Sequence, residues 1–206
     1  MRGTVVRYNA PMGNRDIEFL FEIGSLRHIP RAWVQHLGVP VASTLEHTQR
    51  MVFLALLISR MEKKGDEGTI IKMVLAHDLA EARTADLAYV HKVYSKADDL
   101  RAARDMFAKT AFVDFEKVVA AYERRDSIEA KIVKDADNLD VDVELKELEE
   151  QGHQLPAKWR KMRKMVRDKN LYTKSAKKLW DDLQKANVSE WHMQANKWKV
   201  NQNAGK

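Results

Sequence analysis

The 206-residue sequence carries 45% hydrophobic and 32% charged residues with only 8 Gly and 4 Pro, which leaves out a turn-rich sandwich, a barrel and a disordered chain. It has no cysteine, so disulfides, thiolate zinc centres, iron–sulfur ligation and a cysteine nucleophile are excluded. The formal net charge of +6 is uneven: residues 151–206 hold 14 Lys and Arg against 4 Asp and Glu, leaving 22 basic and 26 acidic residues in 1–150. The longest apolar run, residues 51–58, is far short of the roughly 20 that a membrane helix needs, and the N-terminus leads into no hydrophobic signal core. The expectation is a cytoplasmic protein with no membrane partner.

Helical periodicity begins at residue 16, where Ile17, Leu20, Phe21 and Gly24 form an i, i+3, i+4, i+7 stripe that ends before Pro30. Residues 38–44 read as a loop, with Ser43 or Thr44 as N-cap of a helix over 45–64. Gly65-Asp66 closes that helix. Another follows from Glu67 to about Ala82, then an irregular stretch through Tyr94. Residues 97–124 and 126–151 read as two long helices, the second capped by Asp126 or Ser127. Beyond a break at 152–156, residues 157–169 and 172–200 are helical in pattern and densely basic. Spacings of 11 and 7 keep Trp180, Trp191 and Trp198 near one helical face, which reads as a packing stripe. The fold class is all-α, with a core over 1–152 and a basic helical extension over 153–206 packed on it. Such an extension can attract nucleic acid or another polyanion. A solvated helical face is the simpler reading, and nucleic acid is not the expected partner.

Four polar residues stand in apolar company. His47 opens a helix filled with apolar residues, His77-Asp78 lies inside Met73-Val-Leu-Ala-His-Asp-Leu-Ala80, and Asp137 shares a face with Val133 and Val141. Burying such groups unpaired costs several kcal/mol, so they need a partner, a metal or a hydrogen-bond network. Two imidazoles and two carboxylates make a mixed N/O donor set that suits one divalent ion: Mn²⁺, Co²⁺, Zn²⁺ or Mg²⁺. Glu81, three residues after Asp78, emerges from nearly the same face, where a carboxylate can do acid–base work. Each residue also has a plainer reading. A buried His is commonly a hydrogen-bonded core residue, and Asp135, Asp140 and Asp142 rival Asp137 as solvated acids.

The segments Ser43-Thr-Leu-Glu-His-Thr-Gln-Arg50, Leu75-Ala-His-Asp-Leu-Ala-Glu81 with Thr84-Ala-Asp-Leu87, and Val133-Lys-Asp-Ala-Asp-Asn-Leu139 resemble the HD-domain metal-dependent phosphohydrolases. The likeness is greatest to their 5′-deoxynucleotidase branch and covers about residues 18–150. It implies an HD-domain helical bundle that hydrolyses nucleoside 5′-monophosphates, 2′-deoxy preferred, to nucleoside and phosphate. It also implies a homodimer. His47, His77, Asp78 and Asp137 are then the metal ligands, Glu81 is the catalytic carboxylate with Asp78 as second proton carrier, and Asp86 contacts the sugar. Ile29-Pro-Arg-Ala-Trp33 is similar to the branch's nucleotide-pocket segment. Arg31 offers a fork for phosphate, with Lys92 as a second cation, and Trp33 offers an apolar wall or a core anchor. Three departures fall near the sugar and base: Ala85 replaces the branch's Gly, Ala88-Tyr-Val-His-Lys92 replaces a Pro-rich loop, and the spacing from Arg31 to Trp33 differs by one residue from the branch's. A phosphodiesterase or a nucleotide pyrophosphohydrolase would share the ligand set. A nucleotide-binding module with a polyanion-binding tail is the rival from another class.

Overall fold

A computed structural model describes residues 13–195. Helix α1 (Asn14–Gly24) begins where the Asp16 carboxylate accepts the Gly13 N–H, and a 3₁₀ turn (Ser25–His28) follows it. The short α2 (Val34–Leu37) stops at Gly38, whose φ of 68° is the left-handed conformation that glycine adopts without strain. Helix α3 (Thr44–Glu62) starts with a reciprocal cap: Ser43 N–H donates to Glu46 Oε2 at 2.7 Å, and Glu46 N–H donates to Ser43 Oγ at 3.3 Å. Helix α4 (Glu67–Ala76) is capped by Asp66, and the short α5 (Glu81–Thr84) follows a turn. After a 3₁₀ turn at His91–Val93 come α6 (Asp99–Phe107), α7 (Phe115–Arg124) and α8 (Ile128–Glu150), the last capped by Ser127. Helices α9 (Leu155–Lys169), α10 (Lys174–Leu183) and α11 (Glu190–Gln194) complete the described chain. Among the described residues there is no strand, only an isolated bridge between Pro30 and Ser43, so the fold is all-α.

The main core lies where α3, α4 and α8 meet. Met51, Ala55 and Ile58 pack against Ile70 and Val74 and against Ile132, Val133, Ala136 and Leu139, all essentially inaccessible to solvent. Burial of this kind contributes roughly 1.5–3 kcal/mol for each large side chain. The C-terminal segment adds Leu171, Ala176 and Trp180 to the same core. It is tied there by Asp135 of α8, whose carboxylate accepts the Tyr172 and Thr173 N–H groups and the Thr173 hydroxyl at 2.7–2.8 Å.

Four sequence expectations fail, each for a packing reason. The stripe of Ile17, Leu20 and Phe21 faces outward, and Asp16 and Phe19 are the buried residues of α1. Phe19 meets Phe107 and Phe112, while Asp16 accepts the Ala111 N–H at 2.7 Å, so contact with the 107–112 turn sets the rotation of the helix. The helix expected from Glu67 to Ala82 ends at Ala76, and tight i to i+3 bonds carry the chain through residues 77–80. The long helix over 97–124 is two helices, separated at 108–114, where Lys109 takes φ 61° and the chain turns back so that α7 packs on α6. In the last region α10 stops at Leu183 and α11 starts at Glu190, which resets the helical phase. Trp180 is therefore buried while Trp191 is 76% exposed, and they do not share a packing stripe. Trp198 lies outside the described residues. No described helix is long and apolar enough to cross a membrane.

Candidate metal centre and adjoining cleft

His47 enters from the first turn of α3, His77 and Asp78 from the turn that ends α4, and Asp137 from the middle of α8. One ligand atom from each of His47, His77 and Asp78 lies within 4.8 Å of the others. His77 Nε2 is 3.0 Å from Asp78 Oδ2, and His47 Nε2 is 3.6 Å from that oxygen and 3.4 Å from Asp137 Oδ1. The two imidazoles are oriented from behind. The Val74 carbonyl can only accept, so His77 Nδ1 carries the proton that it donates there at 2.8 Å. His47 Nδ1 donates likewise to Asp140 Oδ2 at 2.6 Å. Both Nε2 atoms are buried with no hydrogen-bond partner among the described residues. Two buried, unpartnered imidazole nitrogens facing two carboxylates are the donor set of a divalent cation, and the protein fits one here.

The charges around this point are dense. Burial pushes the Asp78 carboxyl up, but His77 and Arg31 beside it hold it well below the usual carboxylate range. Asp137 is also buried and is held low by Lys134, His47 and Arg31, with Lys134 Nζ donating to Oδ2 at 2.7 Å. Burial would lower His47, yet Asp137 and Asp140 keep it raised, to about 9. Glu81 goes the other way. Burial first, then Asp78 and Asp86, raise it to about 9 against the pull of Arg31 and of the Thr44 hydroxyl, which donates to Oε2 at 3.0 Å.

Arg31, 5% exposed, is the buried cation of the site. Its guanidinium reaches Asp78 at 3.1 Å, Asp86 at 3.4 Å, Asp137 at 3.7 Å and Glu81 at 4.0 Å. Asp86 also accepts the Ala32 N–H at 3.0 Å, so it fixes the backbone that carries Arg31. Trp33 is half-buried and serves both readings given above. It packs beside Leu37, Leu145 and Leu148, and it lines a cleft of about 300 Å³. Arg31, Asp86, Lys92 and Asp137 line the same cleft, Lys92 from an exposed position. The structure thus gathers every residue singled out in the sequence into one metal-and-cleft arrangement. His77 and Asp78, however, sit on the turn after α4 and not inside a helix.

Sequence reasoning missed the supporting acids of α8. Asp135, Asp140 and Asp142 are not solvated, being 0%, 0% and 5% exposed. Asp140 takes His47 and is paired with Arg50, which also grips Glu147. Glu144 accepts Trp33 Nε1–H at 2.8 Å and Ala42 N–H at 2.5 Å, joining the segment around Arg31 to the N-terminus of α3. The signal was present: residues 137, 140 and 144 step by 3 and 4 along one helical face, as acids with a common task should.

The HD domain family profile matches residues 23–186. Over 142 residues the chain is 32% identical to the 5′-deoxynucleotidase HDDC2 of Danio rerio, covering 65% of this chain and 70% of that protein. It is 26% identical to the 5′-deoxynucleotidase HDDC2 of Homo sapiens, covering 66% and 70%. Among solved structures, a conserved hypothetical protein from Pyrococcus furiosus shares the fold with a TM-score of 0.68 at 21% identity, covering 82% of this chain and 99% of that one. A protein described as a predicted metal-dependent phosphohydrolase from Magnetospirillum magnetotacticum shares it with a TM-score of 0.59 at 19% identity, covering 82% and 92%. The donor set agrees with a divalent metal, the curated relatives named 5′-deoxynucleotidase mark the chain as a hydrolase, and with the profile matching most of its length the chain belongs to the HD-domain family.

Proposed function

We propose that this enzyme hydrolyses nucleoside 5′-monophosphates, 2′-deoxy preferred, to nucleoside and inorganic phosphate. One observation carries the reading: a largely buried carboxyl, Glu81, held by the Thr44 hydroxyl, and a buried guanidinium, Arg31, stand together against the His47, His77 and Asp78 cluster. The names of the curated relatives point the same way. His47, His77, Asp78 and Asp137 would hold one divalent cation, Mn²⁺, Co²⁺, Zn²⁺ or Mg²⁺, which supplies electrophilic activation of the phosphate and of the attacking water.

The chain's own groups do the rest. Asp140 and the Val74 carbonyl fix the imidazole orientations. Asp78, ionised and paired with Arg31, serves as a ligand and not as the proton donor. Glu81 gives its proton to the leaving 5′-oxygen, so the nucleoside departs as an alcohol, and the Thr44 hydroxyl keeps that carboxyl in place. Arg31, itself buried, offsets charge on the phosphoryl oxygens, where a desolvated cation acts more strongly than in solution. Lys92 adds a cation at the cleft, Trp33 a wall, and Asp86 an acceptor for a sugar hydroxyl.

The test is phosphate release from a panel of 2′-deoxy- and ribonucleoside 5′-monophosphates, using chelator-stripped protein given each metal in turn. Metal-dependent release that is lost in Asp137→Ala supports the reading and ranks the substrates. Silence across the panel from folded, metal-loaded protein overturns it.

A further inference from the structure

The basic extension reads from the sequence as a solvated helical face, but the partners of its cations sort them into two sets. Helix α9 carries seven Lys and Arg against one Asp. Four of the seven are engaged within the fold. Arg163 forks onto Asp142 of α8 at 2.7 and 2.9 Å, and Arg160 pairs with Glu149 of the same helix. Lys164 and Arg167 share Asp168 at 2.9 Å, and Arg167 also reaches Asp181 of α10. The other three, Lys158, Lys161 and Lys169, are exposed and make no ion pair among the described residues.

These unpaired lysines share one face. Residues 158, 161, 162, 165 and 169 follow an i, i+3, i+4, i+7, i+11 spacing, which sets Met162 and Met165 among the three lysines on a single outward arc. The two methionines are 43% and 52% exposed. At 1.5 Å per residue the arc runs roughly 16 Å along the helix. Met162 also lines the cleft beside the metal centre, together with exposed Tyr89 and Lys92, so the strip passes the rim of that cleft. The Arg163 fork, with a further bond to the Asn138 carbonyl at 2.7 Å, fixes α9 in this position on α8.

We propose that the outer strip of α9 holds single-stranded nucleic acid, so that a strand ending in a 5′-phosphate is a substrate of the metal centre. Unpaired lysines follow a phosphate backbone, and exposed methionines beside them give the bases apolar faces without reading their sequence. A membrane surface fits less well. Trp159 and Val166 of α9 are half-buried, which leaves only the two methionines as apolar groups on the outer arc. The reaction is the same hydrolysis: water adds its oxygen to phosphorus, the bond to the 5′-oxygen breaks, and phosphate and a strand with a 5′-hydroxyl are released. Turnover of the strand rests on the phosphomonoesterase reading above, whereas binding of the strand does not.

The experiment compares the full metal-loaded chain with a triple variant, Lys158→Gln, Lys161→Gln and Lys169→Gln. Fluorescence anisotropy follows a labelled oligothymidylate of about ten nucleotides with a 5′-hydroxyl, over a range of salt concentrations. Steady-state kinetics compare thymidine 5′-monophosphate with the same strand carrying a 5′-phosphate. Three lysine–phosphate contacts predict that log affinity falls against log salt with a slope of about −2, and that the triple variant loses most of that slope. It should bind the strand at least tenfold more weakly. In the parent at low salt, KM for the phosphorylated strand should lie at least tenfold below that for the mononucleotide. The variant should raise the strand's KM by a similar factor and stay within twofold of the parent on the mononucleotide. No strand binding, equal KM values in the parent, or an unaffected variant overturns the proposal. Equal competition by polyglutamate or by phosphatidylserine vesicles assigns the strip to an acidic protein or a membrane and overturns it as well. If the parent hydrolyses neither mononucleotide nor strand, the function proposed above fails, and the strip stands or falls on strand binding and its loss in the variant.

Discussion

Ala85 offers a sharp test of local strain beside the site. It follows the one-turn helix α5 with φ 59° and ψ 161°, a combination that is essentially reserved for glycine because the Cβ collides with the backbone. Holding an alanine there costs on the order of 1–3 kcal/mol. Ala85 is exposed, so its methyl gives little packing in return. Its amide still donates to the Glu81 carbonyl at 2.9 Å, and glycine keeps that bond. Ala85→Gly removes the strain but adds unfolded-state freedom worth about 0.5–1 kcal/mol against folding. The net expectation is a gain of about 1 kcal/mol, or roughly 2–4 °C in Tm for a chain of this size. Thermal and urea melts of metal-free parent and variant measure it, with Ala85→Val as the opposite change, expected to destabilise. A variant that melts at or below the parent refutes the reasoning, because glycine would then have nothing to relieve. The next residue, Asp86, holds the Ala32 amide and meets Arg31, so this strain lies directly under the segment that places the buried cation.

Four further outcomes follow from the site. Glu81→Gln keeps the shape and loses the proton, so turnover should drop by about 10²–10⁴-fold while metal binding persists; an unchanged rate removes Glu81 from the reaction. Because the Glu81 carboxyl is raised to about 9, kcat should decline as pH rises through its pKa, at a value that a nearby divalent cation lowers, and the residual activity of Glu81→Gln should lack that limb. In metal-free protein the native state binds the Glu81 proton more tightly than the unfolded chain does. That contribution to stability is complete below about 4.5 and is lost as pH rises through about 9, a slope that Glu81→Gln should flatten in denaturant melts. Asp140→Asn weakens the hold on His47, and chelator competition should show metal affinity reduced by roughly 10–100-fold; unchanged affinity removes Asp140 from the site.

The all-α class, the Ser43 cap of α3, the run of α8 and the four candidate ligands are written locally in the chain, as helical periodicity, a capping pair and polar residues among apolar neighbours. These are short-range signals, and α3 and α8 are long enough to display them without help from the rest of the fold. What depended on distant partners was not legible. The rotation of α1 follows from where Phe107 and Phe112 lie, and the split of residues 97–124 follows from α7 turning back onto α6. The end of α4 at Ala76 lets His77 and Asp78 leave the helical path and meet His47. The acids of α8 look alike in sequence, and only the surrounding helices distinguish a tether for residues 172–173, a brace for His47 and an anchor for Trp33. Residue types and their spacing determined which groups could do chemistry. Tertiary packing decided which of them are desolvated, which are paired and which pKa values move, because those depend on neighbours brought from other helices.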